Sequence, residues 1–203
     1  PFGRLVTFTY ADGAGTSATT VVADAAGGPR NVYEHDAAGR LVAGTDGHGH
    51  TFRRRYGPSG DPVELVARGG AVTRQAFDHR SRLVRRVAPT GAVTEVSYDD
   101  ADRVVAATVT ADGVTAATRM RYEGAERMPA EIVDAEGGVT RLTVDGGLVH
   151  AVTDPDGVTV RFTHDADGLL VAATDAAGRV ARIERDPAGR VVATVTPAGR
   201  RTE

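Results

Sequence analysis

A short phrase recurs along this chain at nearly constant spacing, and that spacing constrains the fold more than any single residue. HDAAGRLVAGTD at 35–46 returns as HDADGLLVAATD at 164–175 and as RDPAGRVVATVT at 185–196. The second residue of each copy, or its equivalent, defines a marker, and successive markers are mostly 21 residues apart. The markers are Asp36, Gly57, Asp78, Asp99, Glu123, Asp145, Asp165 and Asp186. Such a period indicates a repeat architecture in which one small unit is stacked many times.

Each repeat contains two turn signals, which lie 10 or 11 residues apart. Asp at the first turn position accepts backbone N–H groups, and Gly at the fourth tolerates the positive φ of a tight hairpin with a bulge. Segments rich in Val, Thr and Phe, such as 158–163 and 191–196, separate the turns and have the length and content of β-strands. The sequence therefore predicts a meander of hairpins.

Side chains in the predicted strands alternate in character. The residue before each marker is mostly bulky and the residue two before it is mostly polar, which predicts one bulkier and one wetter sheet face. We expect three sets of residues to be structural: the bulky residues before the markers, the marker carboxylates and the turn glycines. The role expected of the bulky residues is packing. The three sets together are His35, Asp36, Gly39, Tyr56, Gly60, Phe77, Asp78, Tyr98, Asp99, Tyr122, His164, Asp165, Gly168, Asp186 and Gly189.

The predicted fold class is all-β, an antiparallel β-hairpin repeat ribbon with a 21-residue period. Eight units give about 16 strands over residues 31–203, and residues 1–30 are expected to form an irregular N-terminal hairpin or edge region. A twisted open sheet seldom exceeds about 10 strands without curling, so the ribbon should bend. The stretch 116–133 contains Gly124 and Pro129, which disfavour a helix, and we interpret it as a repeat with an insertion.

Composition narrows the functional classes. The net charge of −3 provides no basic field for nucleic-acid binding, and all 24 basic residues are arginine. With no Cys and no G-x-S-x-G elbow among the four serines, we predict no enzyme and no cofactor. No apolar run reaches the roughly 20 residues of a membrane span. The chain begins at Pro1 without a signal-like segment, which we interpret as a piece of a longer protein.

Three local patterns suggest chemistry, and we interpret all three as turns without a metal. Gly47-His48-Gly49-His50 beside Asp46 offers two imidazoles, fewer ligands than a zinc site needs. The Asp-rich stretches 154–157 and 165–168 lack the third acidic ligand and the closing Glu of a calcium loop. Asp99 and Asp100 are adjacent, and neighbours on a strand point to opposite faces, so we predict no acid–base pair there.

The repeat resembles the YD repeats of RHS-repeat proteins. The resemblance covers residues 31–203 and rests on the period, the aromatic-Asp pair and the following G-R-L or G-R-V, as in YEHDAAGRLV, SYDDADRVV, FTHDADGLLV and RDPAGRVV. It implies a β-ribbon that spirals into a hollow shell. In bacterial polymorphic toxins and insecticidal toxin complexes such a shell encloses a toxic C-terminal domain, and in teneurins a similar barrel belongs to an adhesion receptor.

The chain also departs from that family pattern. The Gly of the turn is replaced at three positions and the Tyr before the marker at three others: Ser81, Asp102 and Glu126 for the Gly, and His35, His164 and Arg185 for the Tyr. DPDGV and DPAGR lie on the ordinary turn spacing, so we interpret them as turns and not as the D-P-x-G-L self-cleavage signature of such toxins.

Two functions from different classes are expected. The resemblance implies a shell segment that encloses and sequesters a toxin domain, with that domain and the remaining repeats of the same chain as partners, in a bacterial protein that is secreted or on the cell surface. The alternative is a cell-surface glycan-binding or adhesion module, motivated by the arginine-rich span 53–86. Its candidate contacts with an anionic partner are Arg53, Arg55, Arg82 and Arg86. An open ribbon also favours edge-to-edge self-association.

Overall fold

The computed structural model describes the backbone of residues 7–13, 16–22 and 30–203, and the side chains from residue 31 onward. These segments contain nineteen β-strands and no helix, which confirms the predicted all-β hairpin fold. None of these residues forms a helix that could cross a membrane. Seventeen of the strands, β3 to β19, lie in the span for which the sequence predicts about 16.

The strands are β1 (Thr7–Gly13), β2 (Thr16–Val22), β3 (Arg30–Asp36), β4 (Leu41–Thr45), β5 (Thr51–Tyr56), β6 (Pro62–Val66), β7 (Val72–Phe77), β8 (Leu83–Val87), β9 (Val93–Tyr98), β10 (Val104–Ala111), β11 (Val114–Arg121), β12 (Glu131–Val133), β13 (Val139–Asp145), β14 (Leu148–Thr153), β15 (Thr159–His164), β16 (Leu170–Thr174), β17 (Val180–Arg185), β18 (Val191–Val195) and β19 (Arg201–Thr202).

The chain divides into two compact units. The first contains Pro1–Val96 and Val109–Thr115, and the second contains Ser97–Thr108 and Ala116–Glu203. In the first unit, each strand from β1 to β9 pairs antiparallel with the next along the chain. In the second unit, the same holds from β11 to β19. Each unit is therefore a meander in which sequence neighbours are also sheet neighbours.

The 21-residue period is the sum of two strands and two turns. A six-residue strand such as β5 is followed by a five-residue turn (57–61), a five-residue strand (β6) and a second five-residue turn (67–71). In the turn of Asp36, the N–H of Asp36 donates to the carbonyl of Arg40, and the N–H of Gly39 donates to the carbonyl of Asp36, both at 2.9 Å. The same pair of bonds recurs in both kinds of turn. This is the pattern of a three-residue hairpin loop with a glycine bulge.

A positive φ at the fourth turn position is kept where glycine is replaced. Gly39 has a φ of 76°, and Ser81 and Asp102 have φ values of 58° and 62° at the equivalent position. Non-glycine residues enter this region at a cost in free energy, so turn geometry prevails over side-chain preference at these two sites. Glu126 is not in this conformation, and its turn keeps only the bond from its N–H to the carbonyl of Glu123, at 3.1 Å.

A bulge lies next to the bulky residue before the marker. Arg55 lies opposite Glu64, whereas Tyr56 lies opposite Pro62, so Val63 is the extra residue. The same one-residue shift occurs beside His35, Phe77, Val144, His164 and Arg185. Bulges bend a strand and redirect a side chain, so the bulge helps to set the direction of the bulky side chain.

The described sheets have very little interior. Ala43 and Ala193, with 3% and 2% of their surface exposed, are the buried apolar residues among the described side chains. Long side chains of neighbouring strands cover these alanines, whose pairing partners include Arg53 and Glu184. The stability is therefore spread along neighbouring strands, as in other repeat proteins.

Two predicted irregularities have different outcomes. In the predicted N-terminal region, β1 and β2 form a regular hairpin with seven paired positions, and residues 1–6, 14–15 and 23–29 lie outside the described residues. The stretch 116–133 contains β11, an extended loop and β12, and no helix. The insertion therefore enlarges the connection between two paired strands and leaves their pairing intact.

Candidate functional site

The recurring chemical feature of the fold is the turn that follows the bulky residue, and its marker carboxylate organises that turn. One carboxylate oxygen of Asp36 accepts hydrogen bonds from the N–H groups of Ala38 and Arg40, at 2.9 and 3.0 Å. The other oxygen accepts a bond from Nε of Arg40 at 2.8 Å. The sequence places this arginine directly after the turn glycine, so the carboxylate binds the backbone of its own turn and the first side chain beyond it.

The same arrangement recurs wherever the marker Asp is followed four residues later by Arg. Arg82 Nε lies 2.7 Å from Asp78 Oδ2, and Arg103 Nε lies 2.8 Å from Asp99 Oδ2. Arg190 binds Asp186 in the same way at 2.7 Å. Asp165 keeps its backbone bonds but is followed by Leu169, so no arginine binds it from that position.

These contacts lower the pKa values of several turn carboxylates. Partial desolvation raises the pKa of Asp78, but the hydrogen bonds from Arg82 and Arg80 outweigh it and lower the pKa to about 2. The side-chain hydrogen bond from Arg40 lowers the pKa of Asp36, and the backbone bond from Arg103 is the main cause that lowers the pKa of Asp99. Asp36, Asp78 and Asp99 are therefore ionised over the whole neutral range, as a carboxylate that accepts several N–H bonds should be.

The arginine after the turn also contacts the aromatic residue of the next repeat. The guanidinium carbon of Arg40 lies 4.7 Å from the ring centroid of Tyr56, within the range of a cation–π interaction. The hydroxyl of Tyr56 donates to the carbonyl of Leu41 at 3.0 Å. Leu41 is the first residue of β4, beyond the end of the β4–β5 ladder at Ala43. We call this set of contacts, Asp–Arg–Tyr with a strand carbonyl, the repeat clamp.

The second unit contains a repeat clamp with the same geometry. Arg103 lies 4.6 Å from the ring centroid of Tyr122, whose hydroxyl donates to the carbonyl of Val104 at 2.8 Å. Arg103 also donates from Nη1 to the carbonyls of Gly124 and Glu126, both at 2.9 Å. Carbonyl groups of the inserted loop are thereby satisfied by an arginine that already belongs to the repeat.

Two of the replaced tyrosine positions show what the clamp requires. Arg185 donates from Nη2 to the carbonyl of Leu170 at 3.4 Å, where Leu170 is the first residue of β16 and so matches Leu41. Its Nη1 donates to Gly189, while its buried Nε has no hydrogen-bond partner. His164 contacts His150 edge to face, with ring centroids 5.5 Å apart, and its buried Nδ1 is also unpartnered. Arginine therefore reproduces the bond to the strand carbonyl incompletely.

Sequence reasoning did not find the role of the arginines in the repeat clamp. The sequence contained a signal for them, the recurrence of Arg four residues after the marker in Arg40, Arg82, Arg103 and Arg190. The sequence analysis used that recurrence only as part of the family pattern and assigned the arginines no physical role. Their two contacts reach across the turn and to the next repeat, and only the folded register reveals both.

The four arginines proposed for an anionic partner do not form one patch. Arg53 and Arg55 share a face of β5 and lie opposite Val66 and Glu64. Arg86 lies opposite Gln75 and Thr94, on the other face of the sheet. Arg82 binds Asp78 within its own turn and is only 19% exposed, and contact of these arginines with an anionic partner stays a prediction. The face that carries Arg55 instead pairs its charges internally.

That internal pairing forms a charge ladder in each unit. Glu64 lies between Arg55 and Arg74, at 3.9 and 3.1 Å. In the second unit, Glu131 lies between Arg121 and Arg141, at 3.8 and 3.5 Å. Exposed pairs of this kind contribute little free energy each, but each glutamate partly offsets the positive charge of its two arginines. The opposite face of β13, β15 and β17 is apolar and half-buried, with Leu142, Phe162 and Ile183.

The patterns that suggested chemistry lie in turns. Asp46 accepts bonds from the N–H groups of His48 and His50, and Nδ1 of His50 lies 3.5 Å from its second oxygen. The part of the chain that the structure describes contains no cluster of three or more residues able to hold a metal ion. The expectation that Asp99 and Asp100 lie on a strand is wrong, because β9 ends at Tyr98 and both residues belong to the turn.

Comparison with known proteins agrees with this geometry. The RHS Repeat family model matches residues 77–115, 145–180 and 164–201. The crystal structure of TcdB2-TccC3-Cdc42 is similar at a TM-score of 0.67 and 18% identity, over 98% of this chain and 12% of that chain. The crystal structure of TcdB2-TccC3 gives 0.65 and 15%, over 96% and 14%. The structure of a Photorhabdus luminescens Tc holotoxin pore with a TccC3 mutation gives 0.66 and 17%, over 92% and 12%.

The structural matches and the family match support different conclusions. The chain spans only about an eighth of the length of the solved structures that it resembles, and at these identities the likeness shows the fold. No curated protein sequence matches the chain. The family match and the 21-residue period together show that the chain contains RHS repeats.

Proposed function

We propose that this chain is a wall segment of an RHS-type shell that encloses and sequesters a toxin domain. The observation that carries the proposal is the repeat clamp, in which Tyr56 binds Arg40 and Leu41 of the preceding repeat. The clamp joins adjacent repeats by side-chain contacts that do not need a thick core. A wall that is one sheet thick has no second layer to pack against. Side-chain contacts between adjacent repeats are therefore needed to stabilise it.

In this proposal the chain acts by exclusion and performs no reaction. Within each unit, consecutive strand pairing leaves no unpaired edge between neighbouring strands of the wall. Further repeats of the same chain are its lateral partners, and a toxin domain is its enclosed partner. The likeness to structures named as TcdB2-TccC3 assemblies and a Tc holotoxin pore supports a place in a secreted bacterial toxin.

Limited proteolysis of the natural chain that carries these repeats tests the proposal. We expect proteinase K to digest an added unstructured reference peptide while a segment inside the shell stays intact under native conditions. Adding urea to open the shell should make that segment as sensitive as the reference. The proposal would be overturned if, without urea, every segment outside the repeats were cleaved as fast as the reference peptide.

The alternative function, selective binding of a cell-surface glycan, stays a prediction. Its motivating arginines lie on two faces and in one turn, and Arg55 already contacts Glu64. A glycan array separates the two functions, because a wall should bind no glycan selectively. Selective binding that is lost on the double substitution Arg53→Ala and Arg55→Ala would favour the alternative.

A further inference from the structure

A groove interrupts one sheet face of the first unit. It has a volume of about 450 Å³, and it is lined mainly by apolar groups of β5, β6 and the adjoining turns. The lining residues that define it are Phe52, Arg54, Tyr56, Pro62, Leu65 and Pro89, and we call it the Leu65 groove. Leu65 lies directly opposite Arg54 on one side and Thr73 on the other, so it forms part of the floor.

The shape of the groove depends on a glycine of the neighbouring strand. Phe52 lies opposite Gly44, and a Cβ added to Gly44 would be only 2.3 Å from the Phe52 ring. The ring therefore leans over the backbone of β4 and not over β6. Thr73 of β7, which lies opposite Leu65, has a small side chain, so the space above Leu65 stays open. A residue larger than glycine at position 44 would push the ring out of this place.

A cation stands at the rim of this apolar space. The guanidinium carbon of Arg54 lies 5.3 Å from the Phe52 ring centroid, and the side chain is exposed. Within the described residues no carboxylate lies within 4 Å of Arg54, in contrast to Arg55 and Arg68, which contact Glu64 and Asp46 at 3.9 and 3.7 Å. Arg54 is thus a positive group beside an apolar groove, available to an external anion.

We propose that the Leu65 groove binds an extended peptide in which an apolar side chain is followed two residues later by a carboxylate. Alternate residues of an extended chain share a face and lie about 6.6 Å apart, so a carboxylate two residues after the apolar side chain can reach the long side chain of Arg54, which lies directly opposite Leu65. The apolar side chain fills the space over Leu65 while the carboxylate reaches Arg54. In identifying this peptide as a segment of the enclosed toxin domain, the inference rests on the proposed function.

Binding of a synthetic probe to the 203-residue chain tests the groove. The probe is a fluorescein-labelled nonapeptide with one phenylalanine and, two residues later, one glutamate, all other positions being glycine or serine. We expect Arg54→Glu to weaken its binding at least tenfold, and a probe with lysine in place of glutamate to bind the Arg54→Glu chain better than the parent chain. The matched control is Arg55→Glu, on the opposite face of the same strand and outside the groove lining, which should leave binding within twofold.

Leu65→Asp provides a second variant, expected to abolish binding of the glutamate probe, with unchanged circular dichroism as the check on folding. Equal binding of the glutamate and lysine probes, or an equal loss in Arg55→Glu and Arg54→Glu, would overturn the proposal. Failure of the groove and failure of the shell are distinguishable. A protected segment in the natural chain, together with a parent 203-residue chain that does not bind the probe, refutes the groove alone, and probe binding by the parent chain without any protected segment refutes the shell alone.

Discussion

The hydroxyl of Tyr56 donates a hydrogen bond to the backbone carbonyl of Leu41, 3.0 Å away and fifteen residues earlier in the chain. This bond lies outside the β4–β5 ladder, which begins at Ala43. A strand carbonyl beyond the end of a ladder needs another donor or water. The phenol supplies that donor from the next repeat, so one side chain both satisfies a backbone group and joins two repeats.

Removing that hydroxyl should weaken the first unit. We expect Tyr56→Phe to lower the free energy of unfolding by about 1 kcal/mol, because the ring and its contact with Arg40 remain while one hydrogen bond is lost. Urea denaturation followed by circular dichroism measures the change. Tyr122→Phe should give a similar loss, since the bond to Val104 is 2.8 Å long. Stability equal to that of the parent chain in both variants would contradict the role of the hydroxyl.

Restoring the tyrosine at position 185 should have the opposite effect. Arg185→Tyr places a phenol where the guanidinium reaches Leu170 at only 3.4 Å, and it removes the buried Nε that has no partner. We expect a gain of about 1 kcal/mol in urea denaturation, because an unsatisfied buried donor costs free energy. Arg182→Tyr, on the exposed face of the same strand, controls for a general effect of aromatic content. A gain of the same size in Arg182→Tyr would show that the gain does not come from the hydrogen bonds at position 185.

Adjacent glycines allow a matched test of the turn conformation. Gly70 has a φ of 83° and Gly69 has no such positive φ, and an added Cβ would meet nothing within 4 Å at either position. We expect Gly70→Ala to destabilise the chain by about 1 kcal/mol, the cost of a left-handed residue. Gly69→Ala should be neutral or stabilising by about 0.5 kcal/mol, because it restricts the unfolded chain. Equal thermal unfolding temperatures for both variants would show that φ is not the determinant.

The turn carboxylates predict a specific loss of stability in acid. The pKa of Asp78 falls from 3.8 to about 2 in the folded chain, so the ionised group stabilises the fold above the unfolded pKa. This contribution is lost as the pH falls through the folded pKa. The hydrogen bonds of the turns also lower the pKa values of Asp36, Asp99, Asp175 and Asp186. Acid sensitivity should therefore accumulate over many repeats.

Asp78→Asn isolates one of these groups. We expect the variant to be less stable than the parent chain at about pH 7 and to differ from it less at about pH 2.5, because this pH lies below the unfolded pKa of Asp78 and much of the stability from its ionised form is already lost. Urea denaturation at both pH values measures the difference. Asp156→Asn, in an exposed turn where the carboxylate makes none of the described turn bonds, is the control. A difference between Asp78→Asn and the parent chain that is the same at both pH values would refute the linkage.

The spacing of the markers was enough to predict the all-β hairpin fold and the position of most turns. The reason is local: Asp at the first position and Gly at the fourth specify a turn through their own hydrogen bonds and backbone freedom, as in the turn of Asp36 and Gly39. Strands of five or six residues then follow from the distance between turns. The bulge at Tyr56 was also consistent with turn chemistry that can be read from the sequence.

The partners of the arginines could not be predicted in the same way. Arg40 and Tyr56 are sixteen residues apart, and their contact depends on the register of β3, β4 and β5 together with the bulge beside Tyr56. The same register separates Arg53 from Arg86 and leaves a groove over Leu65. The sequence by itself determined where the backbone reverses, because turn formation is local. Only the tertiary structure decided which side chains meet across strands, because a one-residue shift in register exchanges the two faces.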